Sequence, residues 1–103
     1  MTTIVIIEDD QVISQMYRMK FESDGFEVHV AMNGADGIDV VKNTRPNLIL
    51  LDMQMPGMNG DEALAEIRKH DWGKMIPVIV LTNMGEEEAP KHLRSLGIES
   101  YIV

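Results

Sequence analysis

The sequence predicts an α/β fold, a doubly wound five-stranded parallel sheet in the strand order 2-1-3-4-5, occupying residues 1–103 as one domain. Three observations predict it. First, Leu48–Leu51 and Pro77–Leu81 are short, uniformly apolar runs, too brief for helices and too apolar for half-exposed strands; they suit strands buried on both faces of a parallel sheet. Second, apolar runs and segments of helical spacing alternate along the chain as β-α-β-α-β-α-β-α-β, and short right-handed crossovers turn that order into a parallel sheet. Third, the apolar runs stop abruptly on polar residues, at Glu8-Asp9, Asp52 and Thr82-Asn83. The carboxyl ends of strands are where open α/β sheets bind ligands.

Each element carries its own signature. Thr3–Ile7 is β-branched throughout and is cut off by Glu8-Asp9-Asp10, as a buried strand ending in acid. From about Gln11 to Asp24 the apolar residues Ile13, Met16, Tyr17 and Phe21 recur at helical spacing. Val12 and Met19 lie off that stripe and widen the apolar face. Asp10 supplies an N-cap and Gly25 a C′ stop. Phe26–Val30 alternates apolar and polar, as a strand with one more exposed face does. Asn33-Gly34 opens a second helix that carries Ala35, Ile38 and Val41 on its apolar side and ends near Asn43. The central strand follows, bounded by Pro46 before it and Pro56-Gly57 after it. Asn59 or Asp61 caps a third helix, with Leu64 and Ile67 inward and Glu62 and Glu66 outward. Lys69–Gly73 is a loop in which Trp72 is expected to pack against the third helix, and Pro77–Leu81 is the fourth strand. Pro90 is tolerated at a first helical position, so a short fourth helix runs from Pro90 to Leu96 and Gly97 ends it. Ile98–Val103 then alternates like a fifth strand.

Composition narrows the function classes. At 103 residues and 45% hydrophobic, the chain has apolar material for one core. An apolar stretch of roughly eighteen residues, the length a membrane span needs, is missing. Ile4–Ile7 is brief, follows no basic region and leads into acid, unlike a signal peptide. The lack of cysteine excludes disulfides and thiolate metal sites and fits a reducing cytoplasm. A formal charge of −8, from nine Lys and Arg against seventeen Asp and Glu, argues against nucleic-acid binding and suits a cation, or a partner with a basic or mixed surface. The nine methionines are mostly core filler or loop anchors, with one or two contributing to an adaptable binding surface.

The strand order 2-1-3-4-5 makes Glu8-Asp9 and Asp52 neighbours in one crevice, with Thr82 closing its other side. Three carboxylates gathered there repel one another, so either some protonate or a cation sits among them. With oxygen donors and no cysteine or histidine near these strand ends, the fitting ion is hard, Mg²⁺ with Mn²⁺ tolerated. A carboxylate beside a metal-held phosphoryl group can itself act as nucleophile and form an aspartyl phosphate, and Thr82 would donate a hydrogen bond to a phosphoryl oxygen. Taken singly, Asp10 reads as a helix cap, Thr82 as a strand end and Glu8-Asp9 as an exposed turn. Their convergence at three strand ends is what speaks against those plain readings.

Those residues carry a resemblance. Glu8-Asp9 after the first strand, the stretch Asp52-Met53-Gln54-Met55-Pro56-Gly57-Met58-Asn59-Gly60, Thr82 after the fourth strand and Tyr101 in the fifth resemble the receiver domain of two-component response regulators, over Met1 to Val103. The resemblance implies a CheY-like, flavodoxin-like fold and a signalling module, not an enzyme in the ordinary sense. It makes Asp52 the phosphoacceptor, Glu8, Asp9, Asp52 and the backbone carbonyl of Gln54 the ligands of Mg²⁺, and Thr82 and Tyr101 a switch pair. It also implies a phosphohistidine donor on a histidine kinase or phosphotransfer protein, and a downstream effector domain or protein.

Departures from the family pattern are equally specific. The family places a lysine and a fifth helix after the residues matching Tyr101-Ile102-Val103, and the sequence stops there. The expectation is a C-terminally truncated receiver with a weakened relay and an exposed apolar C-terminal region that favours a homodimer or a swapped dimer. Asn83 stands where the family has a small residue, and Glu86-Glu87-Glu88 with Pro90 makes the following loop longer and more acidic. Two other functions compete. A receiver-like scaffold that no longer accepts phosphate would fit the missing lysine. A Mg²⁺-dependent aspartyl phosphotransferase would need a second acid two residues after Asp52, where Gln54 stands.

Overall fold

The computed structural model describes residues 2–53 and 57–80 and, as backbone, 81 and 100–102. The elements are β1 (Thr3–Ile7), α1 (Gln11–Ser23), β2 (Glu27–Ala31), α2 (Gly34–Thr44), β3 (Leu48–Asp52), α3 (Gly60–Arg68), β4 (Val78–Leu81) and β5 (Ser100–Ile102). The sheet runs β2-β1-β3-β4-β5, parallel at every pairing, in the order the sequence predicts.

Side-chain alternation along the strands divides the core in two. On one face Val5, Ile7, Ile49, Leu51, Val78 and Val80 pack with Val41 of α2 and with Ala63, Leu64 and Ile67 of α3. On the other, Ile4, Ile6, Val28 and Leu50 meet Tyr17 and Phe21 of α1. Burial of each such Ile or Leu stabilises the fold by about 1.5–3 kcal/mol before entropy is charged against it. This double coverage is why β1 and β3 read as unbroken apolar runs.

The helices depart from the expected faces in two places. In α1 the inward arc is Ser14, Tyr17 and Phe21. Ser14 is buried and its hydroxyl donates to the Gln11 carbonyl at 3.1 Å. Ile13 and Met16, expected inward, lie outside that arc, and Met16 is 57% exposed, with Val12 at 79% and Met19 at 69%. The stripe is rotated because a small residue with its own backbone partner can sit against the sheet where a larger side chain cannot. In α2 the buried positions are Gly34, Gly37 and Val41, and Ala35 is exposed, because the sheet and the loop after β3 approach the helix too closely for a side chain.

Local chemistry fixes the helix ends. Asp10 accepts from the N–H groups of Val12 and Ile13 at 2.9 and 3.1 Å, and Asn33 accepts from Asp36 N–H at 2.8 Å. Asn59 is the N-cap of α3, and Glu62 reaches back to accept from its N–H at 3.4 Å. Gly25, at φ +92, supplies the left-handed residue that ends α1, and Arg45, at φ 49, ends α2 one residue beyond Thr44. Arg68 donates from one guanidinium nitrogen to the carbonyls of Gly73 and Ile76, both at 2.7 Å, pinning the turn between α3 and β4. Trp72 packs against the α3 side of the core and stacks on His70, ring centroids 4.7 Å apart. The expectations for Gln54, Thr82, Asn83, Glu86–Glu88, the Pro90–Leu96 helix, the Tyr101 side chain and an exposed C-terminal face lie outside the described residues.

Candidate functional site

The register brings the acids together. Ile7 stands opposite Leu51 in the parallel β1–β3 ladder, so the residues that follow, Glu8 and Asp52, stand side by side at the strand ends. Glu8 is also tied to β2 by its N–H, which donates to the Ala31 carbonyl at 3.0 Å. Carboxylate oxygens of Glu8, Asp9 and Asp52 all lie within 4.8 Å of one another. Glu8 is buried, with 4% of its surface exposed, while Asp9 and Asp52 are half-buried at the mouth.

Burial of a carboxyl among other carboxylates has a titration consequence. The Glu8 carboxyl is pushed up from 4.5 to about 8, first because burial disfavours its charge and further because of the Asp52 charge and hydrogen bonds with Asp52 and Asp9. One contact works the other way: Asp10 N–H donates to Glu8 Oε1 at 3.0 Å and favours the ionised form. Asp10 itself turns its side chain to the start of α1, as a cap.

The donor set fits a hard divalent cation. Three carboxyl groups share one mouth, and their ligand atoms are close enough to meet at a single ion. Of the sequence-predicted site residues, Glu8, Asp9 and Asp52 are brought together. The Gln54 carbonyl, Thr82 and the Tyr101 side chain fall outside the described residues, and the Tyr101 backbone lies in β5 opposite Val80.

Sequence reasoning missed the glycines that let the loop after β3 close on the site. A Cβ on Gly60 would run into the Asp52 carbonyl oxygen, and Gly60 N–H donates to the Met53 carbonyl at 3.0 Å. A Cβ on Gly37 would lie 2.6 Å from the Ile7 side chain, and one on Gly34 would lie 2.9 Å from that of Met58. A signal existed: α2 and α3 both begin Asn-Gly, placing glycine at the first helical position where almost any residue is a better helix former.

Known proteins give this architecture a context. Among curated proteins, the polar-differentiation response regulator DivK of Brucella anthropi is 31% identical over 97% of this chain and 81% of its own length. The phosphate regulon transcriptional regulatory protein PhoB of Rhizobium meliloti is 30% identical over 97% of this chain, which spans only 44% of PhoB. Among solved structures, the chemotaxis protein CheY4 of Vibrio cholerae superposes with a TM-score of 0.93 at 25% identity, covering 100% of this chain and 86% of that one. The Mn²⁺-bound response regulator Rcp1 gives 0.87 at 28% identity, over 100% and 81%. The response regulator TrrA, solved in complex with the histidine kinase ThkA, gives 0.85 at 26%, over 100% and 85%. The fold is therefore the flavodoxin-like fold of CheY-type receivers. The family model of the response regulator receiver domain matches residues 4–103, and the chain belongs to that family of two-component signalling domains.

Proposed function

We propose that this receiver accepts a phosphoryl group on Asp52 in a Mg²⁺-dependent reaction and works as a phosphorylation switch. The observation that carries this reading is the meeting of the Glu8, Asp9 and Asp52 carboxylates at adjacent strand ends, within 4.8 Å of one another. Glu8, Asp9, Asp52 and the Gln54 carbonyl would hold the ion, which when bound supplies positive charge to the phosphoryl oxygens. Mn²⁺ fits the same oxygen set, and the related Rcp1 has been crystallised with it.

Asp52 has the nucleophile's place. Its carboxylate oxygen attacks phosphorus, the bond from phosphorus to the donor's imidazole nitrogen breaks, and that nitrogen leaves with a proton. Thr82 then donates its hydroxyl to a phosphoryl oxygen, and Tyr101 follows the movement of Thr82. The donor is a histidine kinase or phosphotransfer protein, a reading supported by the kinase complex of the related TrrA. Output passes to an effector domain or protein, as the greater length of PhoB suggests. A cytoplasmic setting suits this exchange. Among the described residues no helix is long and apolar enough to cross a membrane.

The test is direct. Parent and Asp52→Asn proteins are incubated with Mg²⁺ and either acetyl phosphate or beryllofluoride, and followed by intact mass and by amide chemical shifts. The parent gains a phosphoryl group and shifts around β1, β3 and β4, and the variant does neither. Equal responses from the two proteins would remove Asp52 as the acceptor.

A further inference from the structure

Two glycines of α2 receive side chains from the two strand ends that carry the acids. Gly34 and Gly37 are buried and stand three residues apart on one face of the helix. Gly37 takes the side chain of Ile7, the residue before Glu8. Gly34 takes the side chain of Met58, whose Cβ, Cγ and Sδ all lie 2.9–3.0 Å from where a Cβ would be built. Met58 stands between Gly57, at φ +83, and the N-cap Asn59, in the segment that returns from Asp52 to α3.

That segment has two fastenings in the described residues. One is at its base, where Gly60 N–H donates to the Met53 carbonyl at 3.0 Å. The other is Met58, half-buried against the core on its inner side. Its outer side faces an open groove lined by Met32, Asn33, Ala35 and Gly57 together with Gly34. The thioether therefore has space to swing outward once its seat on Gly34 is filled. An unbranched, polarizable side chain suits such a seat, since it adapts to a glycine surface without a polar cost.

We propose that Met58 is a positioning residue for the acid crevice. Seated on Gly34, it fixes the end of that segment at which Gly60 lies against the Asp52 carbonyl, and so sets the affinity of the acids for Mg²⁺ without touching the ion. The metal half of this inference rests on the function proposed above; the loop-holding half does not. Groups that orient ligands from behind shift metal affinity by about 10–100-fold when removed.

The experiment compares the parent with Met58→Ala, Met58→Leu, Gly34→Ala and the Gly34→Ala/Met58→Ala pair. Mg²⁺ affinity is measured by calorimetric titration, and amide exchange at Gly60 and across the sheet is measured without metal. Met58→Ala weakens Mg²⁺ binding about tenfold and speeds exchange at Gly60 with the sheet amides unchanged, and Met58→Leu recovers most of both. Gly34→Ala reproduces the loss in the parent but adds nothing in the Met58→Ala background, because the side chain it would displace is already gone. Additive losses, an unchanged Gly60 exchange rate in Met58→Ala, or no recovery by leucine would each overturn the proposal. A parent that binds no Mg²⁺ would count against the proposed function, while the exchange rates still decide whether Met58 holds the loop.

Discussion

Glu8→Gln separates the stability of this fold from its chemistry. In the folded chain the carboxyl stays protonated up to about 8, against 4.5 ordinarily. Below pH 4.5 the group is protonated in both the folded and unfolded chain, and its contribution is complete. Between 4.5 and 8 the unfolded chain gives up a proton that the folded chain keeps, so stability falls as pH rises, by about 1.4 kcal/mol per unit. Above 8 both states are ionised and the loss levels off. By pH 7 the accumulated loss is about 3 kcal/mol. Glutamine copies the protonated carboxyl, retains an oxygen for the Asp10 N–H that Glu8 accepts at 3.0 Å, and never ionises. The metal-free variant is therefore expected to be more stable than the parent by about 3 kcal/mol at pH 7, a rise in Tm on the order of 15 °C. Urea denaturation in chelator at steps from pH 5 to 8 reads the difference. Glu27 and Glu66, held low by hydrogen bonds from His29 and Lys69 respectively, titrate below this window and cancel in the comparison. With Mg²⁺ present the gap is expected to narrow as pH rises: Glu8 must give up its proton to serve as a ligand, so parent affinity climbs by up to about tenfold per pH unit as far as 8, and the variant's stays flat. A stability difference that is flat from pH 5 to 8, or a variant less stable than the parent at pH 7, would refute the reasoning.

Three further outcomes follow from contacts elsewhere. Gly60→Ala drives a methyl group into the Asp52 carbonyl oxygen and the Met53 side chain and is expected to cost about 3 kcal/mol in urea denaturation, with weaker Mg²⁺ binding because Asp52 must move. Arg68→Ala leaves the carbonyls of Gly73 and Ile76 without their donor and is expected to cost about 2–3 kcal/mol, read as a lower Tm with phosphoryl uptake from acetyl phosphate intact. Asp10→Ala removes the acceptor for Val12 and Ile13 N–H, costing about 1 kcal/mol, and leaves Mg²⁺ affinity unchanged. A parallel loss of affinity in that last variant would make Asp10 a ligand instead of a cap.

The strands were legible because each is a run of residues with one environment. Val5, Ile7, Ile49 and Leu51 are wholly buried, and acids or prolines mark where the runs stop. The meeting of Glu8 with Asp52 was legible too, since it follows from the order of strands and needs no side-chain detail. Glu8 and Asp9 were not distinguishable in advance: adjacent residues at a strand end face opposite ways, and the chain around them decides which is buried. Helix faces failed where hydropathy and fit diverge. Ser14 displaced Ile13 and Met16 from the inward arc of α1, and the glycines of α2 replaced Ala35, since the side chains that fill them, Ile7 and Met58, come from distant parts of the sequence.

The single tryptophan sits at an informative distance from the chemistry. Gly60, the first residue of α3, lies against the backbone of Asp52, while Arg68 at its last turn clamps the corner where Trp72 lies flat on His70. A rigid rod thus joins the acid crevice to a natural fluorophore. A change in emission on adding Mg²⁺ or beryllofluoride would report displacement of the whole helix, because an event confined to the crevice has no direct contact with the indole.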